Sequence, residues 1–286
     1  MGIDRVSRND PFLRSMKPFP PILYKYCSPC DVAILTGRTL KVTPPSEFND
    51  PFEFCPVVKG AITPEDVQLR LPDPEWLPGK ILRQQGDSIA LSTIPDNRRW
   101  QFYEELAATF NNNLATWADG HCNWVSKTFG VVCLSEVSDS VLMWSHYSDK
   151  HRGFVIGIDH RKIGKLQLCD VKYEPERVAM SAKAYLWNDG ASPAQAILTH
   201  KSPQWGYKKE WRLLIALDAP YLADANIKGK PCKVLRLADS IAEVWMGHRS
   251  TPRLTRLIRE ALDKTSSAAK LGRFRLHPSE YKLIPE

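Results

Sequence analysis

Residues 144–159 read WSHYSDKHRGFVIGID and join a polar, aromatic segment to an apolar one. His146, Tyr147 and His151 lie in the polar half, and residues 154–158 are apolar. The pattern predicts a short helix, a polar loop and a buried strand, in that order. Polar and aromatic side chains held next to a core strand are typical of a supported binding site. We therefore expect this stretch to form one side of a composite pocket.

Apolar periodicity and capping residues extend the prediction along the chain in both directions. Strands are predicted at 23–26, 39–42, 129–134, 167–173, 211–217, 232–237, 241–246, 273–276 and 281–284. Helices are predicted between Ser28 and Gly37 and at 95–118, 141–147, 193–199 and 252–264. The order lacks the regular alternation and the glycine fingerprint of a doubly wound fold. We predict an α+β fold with a mixed, mostly antiparallel sheet and flanking helices.

Length and composition define the class of protein. The 286 residues are 43% hydrophobic, which excludes a disordered chain and a small disulfide scaffold. We expect a basic, flexible arm at 1–21 and one α+β domain at 22–286. The net charge of +7 is compatible with a nucleic-acid partner without requiring one. Seven scattered cysteines and the lack of a membrane-length apolar run predict a cytoplasmic protein with reduced thiols.

Spacing of the cysteines and histidines argues against a metal site. Cys27 and Cys30 have CxxC spacing, but no second pair follows, so chance spacing at a helix start is favoured over a zinc or redox site. His146 and His151 do not have the i, i+4 spacing of a helical metal pair. We expect no metal. The histidines either form structural hydrogen bonds or bind substrate, with a general-base role included.

The acidic loop at 45–53 and the single acid Glu210 each have two interpretations. Asn49, Asp50 and Glu53, in the loop PSEFNDPFE, either form a turn that caps backbone groups or line a substrate pocket. Glu210 begins an apolar strand amid aromatic residues, so it lies either at the rim of an aromatic pocket or in a surface ion pair with Arg212.

Four segments taken in order resemble a family of uncharacterised bacterial proteins, domain-of-unknown-function family 2971. They are LYKY at 23–26, PSEFNDPFE at 45–53, LMWSHYSDKHRGFVIGID at 142–159 and KKEWRLL at 208–214. The chain departs from the pattern at Cys27, where the family continues with a basic residue. The family name implies no activity.

The same order is similar, at the level of the fold, to the ADP-ribosyltransferase superfamily. That resemblance implies a split sheet that clamps NAD as a substrate. Lys25 or Tyr26 would contact the adenosine ribose, Tyr147 would stack on nicotinamide, and Glu210 would hold the reacting ribose. A carboxylate there would stabilise the oxocarbenium-like centre left when nicotinamide departs.

Further residues are expected to complete this NAD site. Asn49 and Trp144 would line it, Trp205 would stack on the leaving ring, and Arg152 or Arg212 would bind the pyrophosphate through guanidinium hydrogen bonds. His146 would orient the acceptor.

The leading hypothesis is therefore an ADP-ribosyltransferase-like enzyme of toxin or phage-defence type that modifies a nucleic acid or a protein. One alternative is a hydrolase or nuclease that uses His146, His151, Asp50 and Glu53, with or without a divalent metal. Another is a non-catalytic module that senses or binds a ligand.

Overall fold

The computed structural model describes residues 19–71, 94–164, 166–183 and 193–286. The chain divides into two units. The first, here the sheet unit, takes in the described parts of Met1–Pro44, Thr128–Tyr173 and Pro203–Glu286; the second unit takes in those of Pro45–Lys127 and Glu174–Ser202. The single domain expected for 22–286 stays a prediction.

The predicted N-terminal arm lies outside the described residues except for 19–21. The end of the arm packs on the sheet unit. The ring of Phe19 lies 5.5 Å from that of Trp211, and the carbonyl oxygen of Pro20 accepts a hydrogen bond from His160 Nε2 at 2.9 Å.

Strands and helices interleave along the chain, as the periodicity predicts. The strands are β1 (Leu23–Cys27), β2 (Thr39–Val42), β3 (Val57–Lys59), β4 (Phe129–Ser135), β5 (Phe154–Ile158), β6 (Gln167–Asp170), β7 (Lys172–Tyr173), β8 (Ala179–Ser181), β9 (His200–Lys201), β10 (Glu210–Ala216), β11 (Leu222–Ile227), β12 (Lys230–Arg236), β13 (Ile241–Met246), β14 (Lys270–Leu276) and β15 (Leu283–Pro285). The α-helices are α1 (Ala33–Gly37), α2 (Pro64–Arg70), α3 (Asp96–Asn112), α4 (Leu114–Thr128), α5 (Val141–Tyr147), α6 (Pro193–Thr199) and α7 (Pro252–Lys264). Short 3-10 helices lie at Pro29–Asp31, Pro45–Glu47, His160–Lys162 and Pro203–Lys208.

The sheet unit is built on a sheet of eight described strands in the order β15-β14-β13-β5-β1-β4-β10-β6. Its neighbouring strands are antiparallel except for the parallel pair β13 and β14. A smaller sheet, β11-β12-β2, belongs to the same unit. The predicted α+β class with a mixed, mostly antiparallel sheet is confirmed.

The stretch 144–159 is central to this unit because it contains strand β5. All five of its residues are buried, and it pairs with β1 on one side and β13 on the other. Phe154 and Ile156 belong to the main core, whereas Val155 packs with Met143 and Trp144 of α5 on the opposite face. Each such side chain contributes roughly 1.5–3 kcal/mol by burial. Helix α5 thus covers one face of the sheet, close to where β1 and β4 meet.

Strands β1 and β4 are joined less extensively than their neighbours. In the described chain they are registered through the pair Tyr24↔Ser135, whereas β4 and β10 are registered from Glu210↔Ser135 to Ala216↔Phe129. Strand β1 pairs with β5 along its whole length. The sheet is therefore least closed between β1 and β4.

The helix predicted at 95–118 is wrong in detail. The single helix predicted at 95–118 is two helices, α3 and α4, because the backbone leaves the helical conformation at Asn113. Trp100 of α3 is 45% exposed, and its Nε1 donates to Glu104 on the helix surface. Helix α5 is capped by the hydroxyl of Ser140.

The second unit has its own apolar core. Tyr103, Leu106 and Phe110 of α3 pack with Val67 of α2. Strands β3 and β8 form a two-stranded parallel sheet in this unit. In the described parts of both units, no helix combines the length and the apolar composition needed to cross a bilayer.

Candidate functional site

A pocket of about 90 Å³ opens in the sheet unit where β1 and β4 separate. We call it the β1–β4 pocket. Its lining comes from β1, β4, α5, the 3-10 helix Pro203–Lys208 and the start of β10, and comprises Tyr24, Lys25, Tyr26, Cys133, Leu134, Ser135, Met143, Tyr147, Lys208 and Glu210. Lys25, Tyr26, Tyr147 and Glu210, predicted from separate segments, are therefore brought together.

Strand register places the polar side chains of β4 and β10 on one face. Glu210 pairs with Ser135 and Arg212 with Cys133, so alternation turns all four side chains to the same side. The hydroxyl of Ser135 donates to the carbonyl oxygen of Lys208 at 2.7 Å. This bond fixes the chain immediately before β10 and so positions both Lys208 and Glu210.

Glu210 belongs to a buried group of charges. Its Oε1 accepts a hydrogen bond from Arg212 Nε at 2.8 Å, and its Oε2 lies 3.6 Å from Lys208 Nζ. Glu210 is 4% exposed and Arg212 is 0% exposed. The ion pair considered from the sequence exists, but it is buried and not at the surface. Because Arg212 is enclosed and paired in this way, it supports the carboxylate and is not placed to bind pyrophosphate.

Lys208 lies in an aromatic cage that the sequence interpretation missed. Its Nζ is 4.7 Å from the ring centroid of Tyr147 and 4.8 Å from that of Trp205. Both are cation–π distances. The Lys208 side chain is only 10% exposed. Tyr147 and Trp205, both predicted to stack on a ligand, thus hold a cation between their rings.

Lys25 and Tyr26 reach across the opening from β1. Lys25 Nζ donates to the carbonyl oxygen of Cys133 at 3.3 Å, and the Tyr26 hydroxyl donates to that of Val137 at 2.9 Å. Burial raises the pKa of Tyr26, so its hydroxyl remains a protonated donor. Trp144, predicted to line the cofactor site, is instead wholly buried and donates from Nε1 to Ser138 O at 2.7 Å.

Cys133 is not a nucleophile in this environment. Burial, together with the neighbouring Glu210 carboxylate, raises the pKa of its thiol to about 12. The thiol is therefore protonated at neutral pH, and a protonated thiol attacks poorly.

Besides Trp144, Trp205 and Arg212, three more predicted residues lie outside the pocket lining. His146 is exposed, with its ring 6.2 Å from that of Tyr207. Arg152 is exposed and forms an ion pair with Asp149 at 2.7 Å. Asn49 is exposed in the second unit.

Of the acidic residues near Asn49, Asp50 makes the turn contact, and Glu53 is in a buried ion pair that neither interpretation predicts. Asp50 Oδ1 accepts the backbone N–H of Phe52 at 3.0 Å, and Glu53 is paired with Lys201 at 2.6 Å, both side chains being 2% exposed. Over 19–71, 94–164, 166–183 and 193–286, no group of three or more histidine, cysteine or acidic side chains is arranged to hold a metal ion.

The contacts of His151 do not indicate a role in hydrolysis. It is 8% exposed, its Nε2 lies 3.1 Å from Ser145 Oγ, and its ring stacks on Trp144.

Of the CxxC residues, Cys27 is buried and Cys30 is exposed, and both are free thiols.

Comparison with known proteins gives one match. The model of a family described as protein of unknown function (DUF2971) matches residues 143–213. The resemblance to domain-of-unknown-function family 2971 is thereby confirmed for this segment, which contains Tyr147, Lys208 and Glu210. No curated protein and no solved structure matches the chain.

Proposed function

We propose that this chain is an NAD-dependent, ADP-ribosyltransferase-like enzyme of the bacterial cytoplasm, of toxin or phage-defence type, which modifies a nucleic acid or a protein. The observation that supports the proposal is that Lys25, Tyr26, Tyr147 and Glu210 line one pocket at the opening between β1 and β4. The β1–β4 pocket would take the nicotinamide and ribose end of NAD.

The reaction would use the carboxylate of Glu210. The bond between C1′ of the ribose and the nicotinamide nitrogen breaks, and its electron pair leaves with nicotinamide. The ribose then carries positive charge, which a nearby carboxylate stabilises. An oxygen or nitrogen of the acceptor forms the new bond to C1′ and loses its proton to solvent. The hydrogen bond from Arg212 Nε holds the Glu210 carboxylate in place for this step.

The aromatic cage suits the leaving group. Tyr147 and Trp205 already hold the ammonium group of Lys208 between their ring faces. The nicotinamide ring of NAD is also a cation, so the same faces attract it by cation–π interaction. In the proposed complex the Lys208 ammonium leaves the cage and moves toward the phosphates.

The volume of the pocket sets a condition on binding. Sites for drug-sized ligands measure roughly 300–1,000 Å³. The β1–β4 pocket measures about 90 Å³ and accommodates one end of NAD only. Displacement of Lys208 from the cage would enlarge it at the nicotinamide end, so binding of NAD and movement of Lys208 would occur together.

Release of nicotinamide tests the proposal, with water as the default acceptor and RNA, DNA and protein as candidate targets. Glu210→Gln keeps the side-chain shape and should lower the rate of release at least a hundredfold. Glu260→Gln, at an exposed position of α7, is the matched control and should leave the rate unchanged. Thermal melting of each variant verifies folding. Absence of release by the wild type with every acceptor, or equal release by Glu210→Gln, contradicts the proposal.

A non-catalytic ligand-binding module is the second candidate. It is favoured by the ion pair between Glu210 and Arg212, because a buried carboxylate that already has a charged partner has a structural role that requires no reaction. Binding of NAD by calorimetry without nicotinamide release would support this candidate. Tyr147→Ala should then abolish binding, while Glu210→Gln should retain it.

A further inference from the structure

A larger cavity, of about 680 Å³, lies elsewhere in the sheet unit. We call it the C-terminal cavity. It is bounded by the turn after α5, the segment after β13 and the hairpin of β14 and β15. The lining residues used below are Ser145, Lys150, His151, His248, Arg249 and Tyr281.

The turn that supplies two of these residues is strained. Asp149, Lys150 and His151 have φ values of 45°, 54° and 68°, all in the left-handed region. Each non-glycine residue there costs on the order of 1–2 kcal/mol. Hydrogen bonds from His151 N to Trp144 O and from Arg249 N to His151 O, both 3.1 Å, hold the turn. Strain of this kind concentrates at functional sites.

His151 presents an acceptor that the described protein does not use. The Ser145 hydroxyl donates to Val141 O at 2.8 Å, so His151 Nε2, 3.1 Å from that hydroxyl, is the donor to it. In the neutral imidazole this leaves Nδ1 as an acceptor. Within the described residues, Nδ1 of His151 and Nδ1 of the adjacent His248 are buried without a hydrogen-bond partner. Because these atoms are enclosed, a ligand amino group would satisfy His151 Nδ1 once the strained turn opens to admit it.

A serine nucleophile is excluded by the same contacts. Activation of Ser145 would need a histidine that accepts its proton and a third group that orients the ring. The Ser145 hydroxyl points to a carbonyl oxygen, and burial lowers the pKa of His151 to about 4, which makes it a poor base at neutral pH. Binding is the chemistry that remains.

Other lining residues add positive charge and an aromatic ring, and the one carboxylate in the lining, Glu280, is paired with Lys282 at 2.8 Å. Lys150 and Arg249 are exposed at the cavity and can bind a phosphate group. The side chain of Tyr281 is fully exposed, so its ring offers a face for a base. The three features correspond to the amine, the phosphate and the ring of one nucleotide.

We propose that the C-terminal cavity binds an adenine nucleotide, with the exocyclic amine donating to His151 Nδ1, the base stacking on Tyr281 and the phosphate bound by Lys150 and Arg249. The cavity volume of about 680 Å³ lies within the range of roughly 300–1,000 Å³ found for small-molecule sites. This proposal is independent of the β1–β4 pocket.

Calorimetric titration of the full chain with AMP tests it. AMP should bind, and adenosine, which lacks the phosphate, should bind at least tenfold more weakly. IMP, which replaces the amine by a carbonyl oxygen, should also bind at least tenfold more weakly. A lack of AMP binding, or equal affinity for AMP and IMP, overturns the proposal.

Surface variants locate the site without disturbing the fold. Arg249→Glu and Lys150→Glu should each weaken AMP binding at least tenfold, whereas Arg253→Glu, an exposed arginine outside the cavity lining, should not. Equal effects of Arg249→Glu and Arg253→Glu overturn the assignment. Glu210→Gln should keep AMP binding and Arg249→Glu should keep nicotinamide release, so the two proposals can fail separately.

A short 5′-phosphorylated oligoadenylate distinguishes the source of the nucleotide. Binding of AMP but not of the oligonucleotide assigns the cavity to a free nucleotide. Binding of both, each weakened by Arg249→Glu, assigns it to the end of a nucleic-acid strand.

Discussion

The guanidinium of Arg212 and the carboxylate of Glu210, two positions apart on β10, form an ion pair of 2.8 Å inside the sheet unit. Their side chains are 1% and 3% exposed. Period-two alternation places both side chains on one face of the sheet, where they lie beside Ser135 and Cys133 of β4. Because Glu210 also lines the β1–β4 pocket, a change to this pair should affect both the pocket and the stability of the sheet.

Removing one partner of this pair should destabilise the protein strongly. Arg212→Leu leaves the Glu210 carboxylate buried with less compensating charge, and such changes cost about 3–5 kcal/mol. The free energy of unfolding from urea denaturation measures this. Arg256→Leu breaks an exposed pair with Glu260 on α7 and should cost less than about 1 kcal/mol. Similar losses in the two variants would contradict the buried pair.

The stability of the chain should depend on His151 between pH 7 and pH 5. Burial, followed by His248 and Arg249, lowers the pKa of His151 to about 4 from the ordinary 6.5. The unfolded chain therefore binds a proton first as the pH falls, and stability present above pH 6.5 is lost toward pH 4.

Between pH 7 and pH 5 the loss due to His151 should be roughly 2 kcal/mol. Urea denaturation at both pH values should show a smaller difference for His151→Gln than for the wild type. His146→Gln, at an exposed position, should keep the wild-type difference. An unchanged pH dependence in His151→Gln would refute the assignment.

The same substitution at two glycines should have opposite effects. A Cβ at Gly247 would lie 2.1 Å from the backbone oxygen of His151, so Gly247→Ala forces the strained turn away from the end of β13. We expect a loss of about 3 kcal/mol in the free energy of unfolding. Gly120 lies in α4 with no atom within 4 Å of its added Cβ, and Gly120→Ala should add about 0.5–1 kcal/mol through helix propensity. Thermal melting distinguishes the signs.

The thiols should react in an order set by burial. Burial raises the pKa of Cys27 and of Cys133 to about 12, whereas Cys30 and Cys55 are exposed. Maleimide added to the native protein should label Cys30 and Cys55 first, Cys133 slowly because its thiol is protonated, and the buried Cys27 only after unfolding. Peptide mass spectrometry identifies the sites. Early labelling of Cys133 would show that its thiol is reactive and would contradict the assignment of a protonated thiol.

Local sequence patterns predicted the elements well where one signal dominated. Strand β13 and helices α6 and α7 have the bounds that apolar periodicity and proline starts predict. The division between α3 and α4 was missed, because periodicity continues across Asn113 while the backbone does not. Parallel pairing of β13 and β14 has no signature in either strand alone, since it depends on the route taken by α7.

The candidate site was predictable in part. Tyr26, Tyr147 and Glu210 were predicted and lie together, because aromatic and acidic residues at strand and helix ends gather where a sheet is least closed. Lys208 was overlooked, since a lysine before a strand gives no sign of an aromatic cage. Ser135 and His248 became recognisable only through register and tertiary contact.

The sheet unit is assembled from three separate stretches of chain, with residues of the second unit between them. Its central strand β5 needs β1 from the first stretch and β13 from the last. Contacts between positions so distant in the chain slow folding, because the entropy of closing long loops is lost before the contacts stabilise the chain. During synthesis β5 therefore emerges well before its neighbour β13 exists, and the completed sheet is a late product of translation.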